Sequence, residues 1–164
     1  MKEIFTIFVK LILENCVHND INIKIGSLQC LIDFSKQNIL RLPEIIESML
    51  QILTNTIVDN DVEVAIPAIE VFNTIADEEK DNFMVKTQPN FQLTAKIAPT
   101  LINLLLQNLM KSSKGEDDDD EAEGGLNIQH TSYRCLCTIV ELLGDSCLEP
   151  IAVYVSSLTY YNIV

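Results

Sequence analysis

The chain has no tryptophan, only two histidines, and just five glycines and five prolines in 164 residues. So little glycine and proline excludes an all-β fold built on many tight turns. His18 and His130 are isolated, with no carboxylate or cysteine at triad-like or metal-ligand spacing, so the usual hydrolase and zinc arrangements are missing. No glycine-rich phosphate loop is present. The longest apolar stretches, 4–13 and 97–110, are too short or too interrupted to span a membrane. No signal peptide is expected. Basic residues are scarce, 11 against 24 acidic ones, for a net charge of −13. Such a chain is repelled by nucleic-acid phosphates and anionic lipid and drawn to basic protein surfaces. Five cysteines (Cys16, Cys30, Cys135, Cys137, Cys147) form no paired framework and no Cys-x-x-Cys. Their odd count and apolar neighbours suit buried, reduced thiols in a cytosolic or nuclear protein. Cys135 and Cys137 lie two apart on an expected helix and point to different sides, which is poor metal geometry.

What the chain does have is 48% hydrophobic residues and an internal repeat. Asn19-Asp20-Ile21-Asn22-Ile23-Lys24-Ile25 aligns with Asn60-Asp61-Val62-Glu63-Val64-Ala65-Ile66, 41 residues later. Asn-Asp recurs, and β-branched residues follow at matching places. Self-similarity at this period marks stacked helical repeats of the HEAT or armadillo kind, which build binding surfaces and seldom catalytic pockets.

The apolar spacing predicts helices throughout. The first, over 2–16, is apolar nearly all round and wants neighbours on more than one side. Asn19-Asp20 caps a second helix to about residue 36, with Ile21, Ile25, Leu28 and Leu31/Ile32 as its stripe. Pro43 is expected to open a third, with Ile46, Met49/Leu50, Leu53 and Ile57 buried. Asn60-Asp61 caps a fourth, burying Ala65, Ile69, Phe72 and Ala76, with Pro67 tolerated near its start and Asp77-Glu78-Glu79-Lys80-Asp81 ending it. A loop is expected around Pro89-Asn90, then a helix over 93–110 with Ile97, Leu101, Leu104/Leu105 and Asn108/Leu109 on the core side. Residues 111–125 are too charged to pack; 116–123 alone carries seven acidic residues and leaves −6 for the rest. A helix over 128–143 follows, placing Leu136 in register with Leu31 and Phe72, and Cys135 with Cys30 and Val71. Another helix starts at Pro150. The expected fold is all-α: an α-α superhelix of about three helical hairpins plus the start of a fourth. Its approximate repeats are 1–38, 39–81, 91–147 (with the acidic loop 111–125) and a partial 148–164, all in one solenoid, 1–164. The apolar outer side of the first helix and the unfinished last one read as a piece of a longer solenoid.

Within this pattern, the run from Val62 through Ile69-Glu70-Val71-Phe72 to Asp77-Glu78-Glu79-Lys80-Asp81 resembles the importin-β (karyopherin-β1) family, which has Glu-Val-Ala, then Ile-Glu, an aromatic residue and a closing Asp-Glu-Glu. The acidic run 116–121 between two apolar helices resembles that family's acidic loop, and Asn127 and Cys135-Leu136 fall where the family has them. The resemblance covers about 3–157 and corresponds to HEAT repeats six to eight and the start of nine. Leu126 stands where the family usually has a tryptophan that contributes to adaptor contact, and Phe72 where tryptophan is common. The segment 156–161 does not match.

The resemblance implies a nuclear transport receptor moving between cytoplasm and nucleus through the nuclear pore, not an enzyme, with no cofactor. The implied partners are the GTP form of the Ran GTPase, the basic importin-β-binding segment of importin-α or basic cargo, and Phe-Gly nucleoporins, without direct nucleic acid or membrane insertion. Glu116, Asp117, Asp118, Asp119, Asp120 and Glu121 would form the strip that meets Ran and the basic adaptor. The four aspartates lack the spaced oxygens and the glycine of an EF-hand. Glu63, Glu70, Asp77 and Glu78, with Glu79, are the expected inner-face carboxylates that a basic helix would meet. Ile7-Phe8 aligns with the family's nucleoporin-binding apolar pair, with Leu11 one turn on. The repeats alone equally fit a scaffold such as a phosphatase regulatory subunit. Another karyopherin such as transportin also carries an acidic loop. The insertion inside a hairpin and the Asp77-Glu78-Glu79 turn favour the importin-β reading.

Overall fold

The computed structural model describes residues 2–58, 61–85, 92–110 and 127–161. Among them every regular element is helical: α1 Lys2–Asn15, α2 Ile21–Gln37, α3 Ile46–Val58, α4 Val62–Val85, α5 Leu93–Met110, α6 Ile128–Leu143 and α7 Leu148–Tyr161. α1 packs on α2, α3 on α4 and α5 on α6, giving three antiparallel hairpins. The second helices form one row, α2–α4–α6, and the first helices α3–α5–α7 form the other. The core is the sheet of side chains between these rows, including Leu28, Leu31, Met49, Leu53, Ile69, Phe72, Ile97 and Leu101, all fully buried. Their i, i+3, i+4 spacing is what makes each element a helix with one face to hide.

The Asn-Asp repeat does its work through the aspartates. Asp20 Oδ1 accepts from the Asn22 N–H at 2.8 Å, and Asp61 Oδ1 accepts from the Glu63 N–H at 3.2 Å. Each satisfies a donor that a helix start leaves unpaired. Asn127 does the same for α6, accepting from Gln129 N–H at 2.8 Å and His130 N–H at 3.2 Å. At the other end of α6, Gly144 takes φ 56°, a conformation that costs glycine least.

Four expectations need correction. Pro43 does not open α3; it lies inside a 3-10 turn, Ile39–Glu44. Ile39 and Leu42 of that turn are buried, and Arg41 sits 4.0 Å from the centre of the Phe5 ring, so core packing holds the segment apart from the helix that follows. Asp77–Asp81 does not end α4, which runs on to Val85. The run contains no glycine or proline, and three of its charges find partners: Asp77 in the Asn73 amide, the buried Glu79 in two N–H groups of α5, and Lys80 in Glu141. The last helix begins at Leu148, before Pro150, because a proline is tolerated in a first turn whose N–H groups lack partners. The third repeat is one residue out of the expected register: α6 buries Ser132, Cys135 and Ile139, while Leu136 is only half-buried.

Candidate functional site

The sequence points to three places, and the acidic strip Glu116, Asp117, Asp118, Asp119, Asp120 and Glu121 lies outside the described residues. The second place is the α4 surface. Glu63, Glu70 and Asp77 recur every seven residues, nearly two turns each, so they share one side of the helix. That side meets α6. Arg134 of α6 donates to the Glu70 carboxylate, and Lys80 Nζ meets Glu141 Oε2 of α6 at 2.6 Å. Between these two bridges, Asn73 Nδ2 donates to Asp77 Oδ2 at 3.0 Å. The wall is therefore a seam of alternating charges rather than a bare anionic face. Lys80 is held more basic than usual, first by its hydrogen bond to Glu141 and then by that carboxylate's charge. Glu63 stands exposed in the first turn of α4, where the helix dipole favours an anion.

Glu78 points away from this seam. It helps line a surface recess of about 360 Å³ with Asn82, Lys36, Gln37 and the 3-10 turn residues Ile39, Leu40 and Arg41. Its carboxyl is raised above the ordinary value of 4.5, first by burial and then by Asp81, with Lys36 opposing and Asp77 adding. Glu79 is not a surface carboxylate. It is 7% exposed, and its two oxygens accept from the Leu93 and Thr94 N–H groups at 2.7 Å each. This side chain of α4 thus caps α5, across 14 residues of sequence.

The third place is α1. Phe5, Val9, Ile12, Leu13 and Cys16 face inward, while Ile4, Ile7, Phe8 and Leu11 are half or more exposed on the other side. The three residues singled out there, Ile7, Phe8 and Leu11, do share that surface. Phe8 leans on Phe34 of α2 with ring centres 6.1 Å apart. Beside it opens a cavity of about 370 Å³, lined by Phe8, Cys30, Asp33, Phe34, Gln37 and Asn38. Apolar rings at its wall and a polar rim suit an aromatic or aliphatic side chain from a partner.

The cysteines do not provide a nucleophile in the core. Burial pushes the Cys16 thiol up to about 12, with Cys30 adding, and Cys135 and Cys147 are also raised, by burial first. Cys30 departs from the expectation of buried thiols and is exposed. Among the described residues, no group of three or more His, Cys, Asp or Glu side chains is placed to hold a metal ion. No helix among them is long and apolar enough to cross a membrane. Sequence reasoning missed Arg134, Lys80 and Glu141, whose pairings join residues 61 and 64 apart. No local pattern signals such pairs.

No protein-family profile matches the chain. Over 155 residues, 90% of its length, the chain is 25% identical to importin subunit beta-1 of Arabidopsis thaliana, of which it covers 18%. Among solved structures it resembles importin beta crystallised in an ammonium sulfate condition, with a TM-score of 0.78 and 20% identity over 91% of this chain and 18% of the other. It also resembles Kap95p, whose binding induces the switch loops of RanGDP to adopt the GTP-bound conformation, with a TM-score of 0.77 and 19% identity over the same shares. The fold is thus an importin-β-type HEAT solenoid, and the chain spans less than a fifth of the length of the relatives it matches.

Proposed function

We propose that the chain is the part of a nuclear transport receptor where the GTPase Ran and a basic adaptor or cargo compete. The likeness over nine tenths of the chain to Kap95p, a protein that engages Ran, is the observation that carries the reading. The strip 116–121 supplies an anionic contact for Ran in its GTP form and for the basic importin-β-binding segment of importin-α, or for basic cargo. One strip cannot engage two basic partners fully at once, and that exclusion couples Ran binding to release. Glu63 and Asp77 add to the adaptor surface, with Glu78 at its edge. Glu70 contributes by exchanging Arg134 for a cation of the partner. Ile7, Phe8 and Leu11, with the cavity beside them, take the phenylalanine of Phe-Gly nucleoporins. The protein moves between cytoplasm and nucleus, acts as one solenoid over 1–164, and works by binding rather than by catalysis.

Immobilised chain tests this. Ran loaded with a GTP analogue should bind more strongly than Ran-GDP, and a basic adaptor peptide should displace it. Charge reversal of Asp117–Asp120 to lysine should abolish both contacts. Equal retention of the two Ran forms, or binding of a phosphatase catalytic subunit instead, contradicts the reading.

A further inference from the structure

The α4–α6 seam holds an acceptor that nothing among the described residues satisfies. Asn73 is 6% exposed, and its Oδ1 is buried without a hydrogen-bond partner. Asp77 fixes which way round the amide lies. A carboxylate only accepts, so Asn73 Nδ2 faces Asp77 Oδ2 at 3.0 Å and Oδ1 is the end left over. A buried acceptor without a donor is costly and uncommon. The Ser35 and Thr94 hydroxyls are also unpaired, but only Asn73 lies between two carboxylates of its own helix face. Glu70, Asn73 and Asp77 stand at i, i+3 and i+7 of α4 and share one side of the helix. Both carboxylates lie near enough to the buried Cys135 thiol of α6 to raise it further than burial does.

The resident cation does not complete this set. Arg134 donates through one guanidinium nitrogen to Glu70 and makes no bond to Asn73 or Asp77 among the described residues. A planar guanidinium suits one carboxylate edge, whereas an ammonium carries three donors on one atom and can meet three acceptors around it. Lys80, the lysine of this seam, is committed to Glu141. The Glu70–Arg134 bridge is partly exposed and contributes little to stability, so it is readily exchanged.

We propose that Glu70, Asn73 and Asp77 form a subsite for a single lysine side chain of a basic partner, and that Arg134 is its placeholder, swung out to solvent when the lysine enters. The ammonium bonds to both carboxylates and to the Asn73 Oδ1 that Arg134 leaves unpaired. A partner arginine merely repeats the bond Arg134 already makes, so the subsite selects lysine. Charge favours such an occupant: the seam carries Glu63, Glu70, Asp77 and Glu141 against Arg134 and Lys80. The inference rests on the reading of α4 as a surface for a basic adaptor, and adds which side chain is selected there and what guards the place.

Fluorescence anisotropy with labelled octalysine and octaarginine tests it on the whole chain. The background carries Asp117→Asn, Asp118→Asn, Asp119→Asn and Asp120→Asn, so that the acidic strip does not contribute. Arg134→Gln should tighten octalysine at least about fivefold, and octaarginine clearly less. Adding Asn73→Ala should cancel that difference. Equal gains for the two peptides, or no gain, overturn the subsite. Binding of both peptides that ignores Arg134 and Asn73 leaves the adaptor surface standing and overturns only the subsite, whereas no binding of either peptide by any variant overturns both. Circular dichroism establishes that the variants stay helical. Should Asn73→Ala unfold, NMR of the isotope-labelled wild-type chain decides instead. The Asn73 side-chain amide signals should move on adding octalysine, and less with octaarginine; signals that stay put, or move equally, overturn the proposal.

Discussion

Glu79 shows how much one side chain decides. A carboxylate 7% exposed would be costly to bury without partners, and here two N–H donors of α5 satisfy it at 2.7 Å each. Glu79→Gln keeps the shape but sets an amide donor against an N–H, so we expect a loss of about 1–3 kcal/mol in urea denaturation. Glu78, its neighbour, acts in the opposite sense. It holds its proton more tightly folded than unfolded, so its contribution is fully present below 4.5 and is lost as pH rises through its elevated folded value. Glu78→Gln should therefore match the wild type in acid and exceed its denaturation midpoint at pH 7; a lower midpoint at pH 7 contradicts the assignment. The sequence set these two residues side by side as equal surface carboxylates. Their difference depends on the α5 N–H groups that stand against one of them, and no spacing rule carries that. Asp20 and Asp61, by contrast, were legible, because a helix start needs a nearby acceptor and the repeat supplied one twice.

At the level of the helices, the α4–α6 seam is tied by Glu70–Arg134 and Lys80–Glu141, both partly exposed. Pairs of this kind contribute little each, so a double-mutant cycle on Glu70→Gln and Arg134→Met should give a coupling of about 1 kcal/mol or less that shrinks with added salt. Phe72→Ala, in the fully buried middle of α4, should cost roughly 3–5 kcal/mol by the same denaturation assay and dwarf either ion pair. Helix identity was legible throughout, and the buried stripes were legible except in α6, where the face lies one residue from the expected register, because apolar periodicity is set by which face must leave water. Boundaries were not: a charged run was read as a stop for α4 and a proline as a start for α3. Tertiary partners decided both, Glu141 and the α5 terminus for the first, the buried Ile39 and Leu42 for the second.

For the molecule as a whole, each hairpin meets only its neighbours, so stability should be graded along the chain rather than uniform. Amide exchange should be slowest in α4 and α5, which have packed neighbours on both sides, and fastest in α1 and α7 at the ends. Uniform protection would mean a single cooperative core instead of a stack. The stacked-hairpin architecture was legible from the 41-residue period and the apolar spacing, yet the ion-paired seam was not, since charge pairing between neighbouring helices of one row belongs to no repeat.

A stack of hairpins can bend wherever adjoining units slide on one another. The bond from Glu79 to the start of α5 forbids that at the second junction, because any slip there must first strand a buried anion. The α1–α2 unit reaches its successor through packing of α2 on α4 and through Arg41 over the Phe5 ring, with no buried anion held across the junction among the described residues. Of these two junctions the first is the more compliant, and a load along the stack would open it before the second.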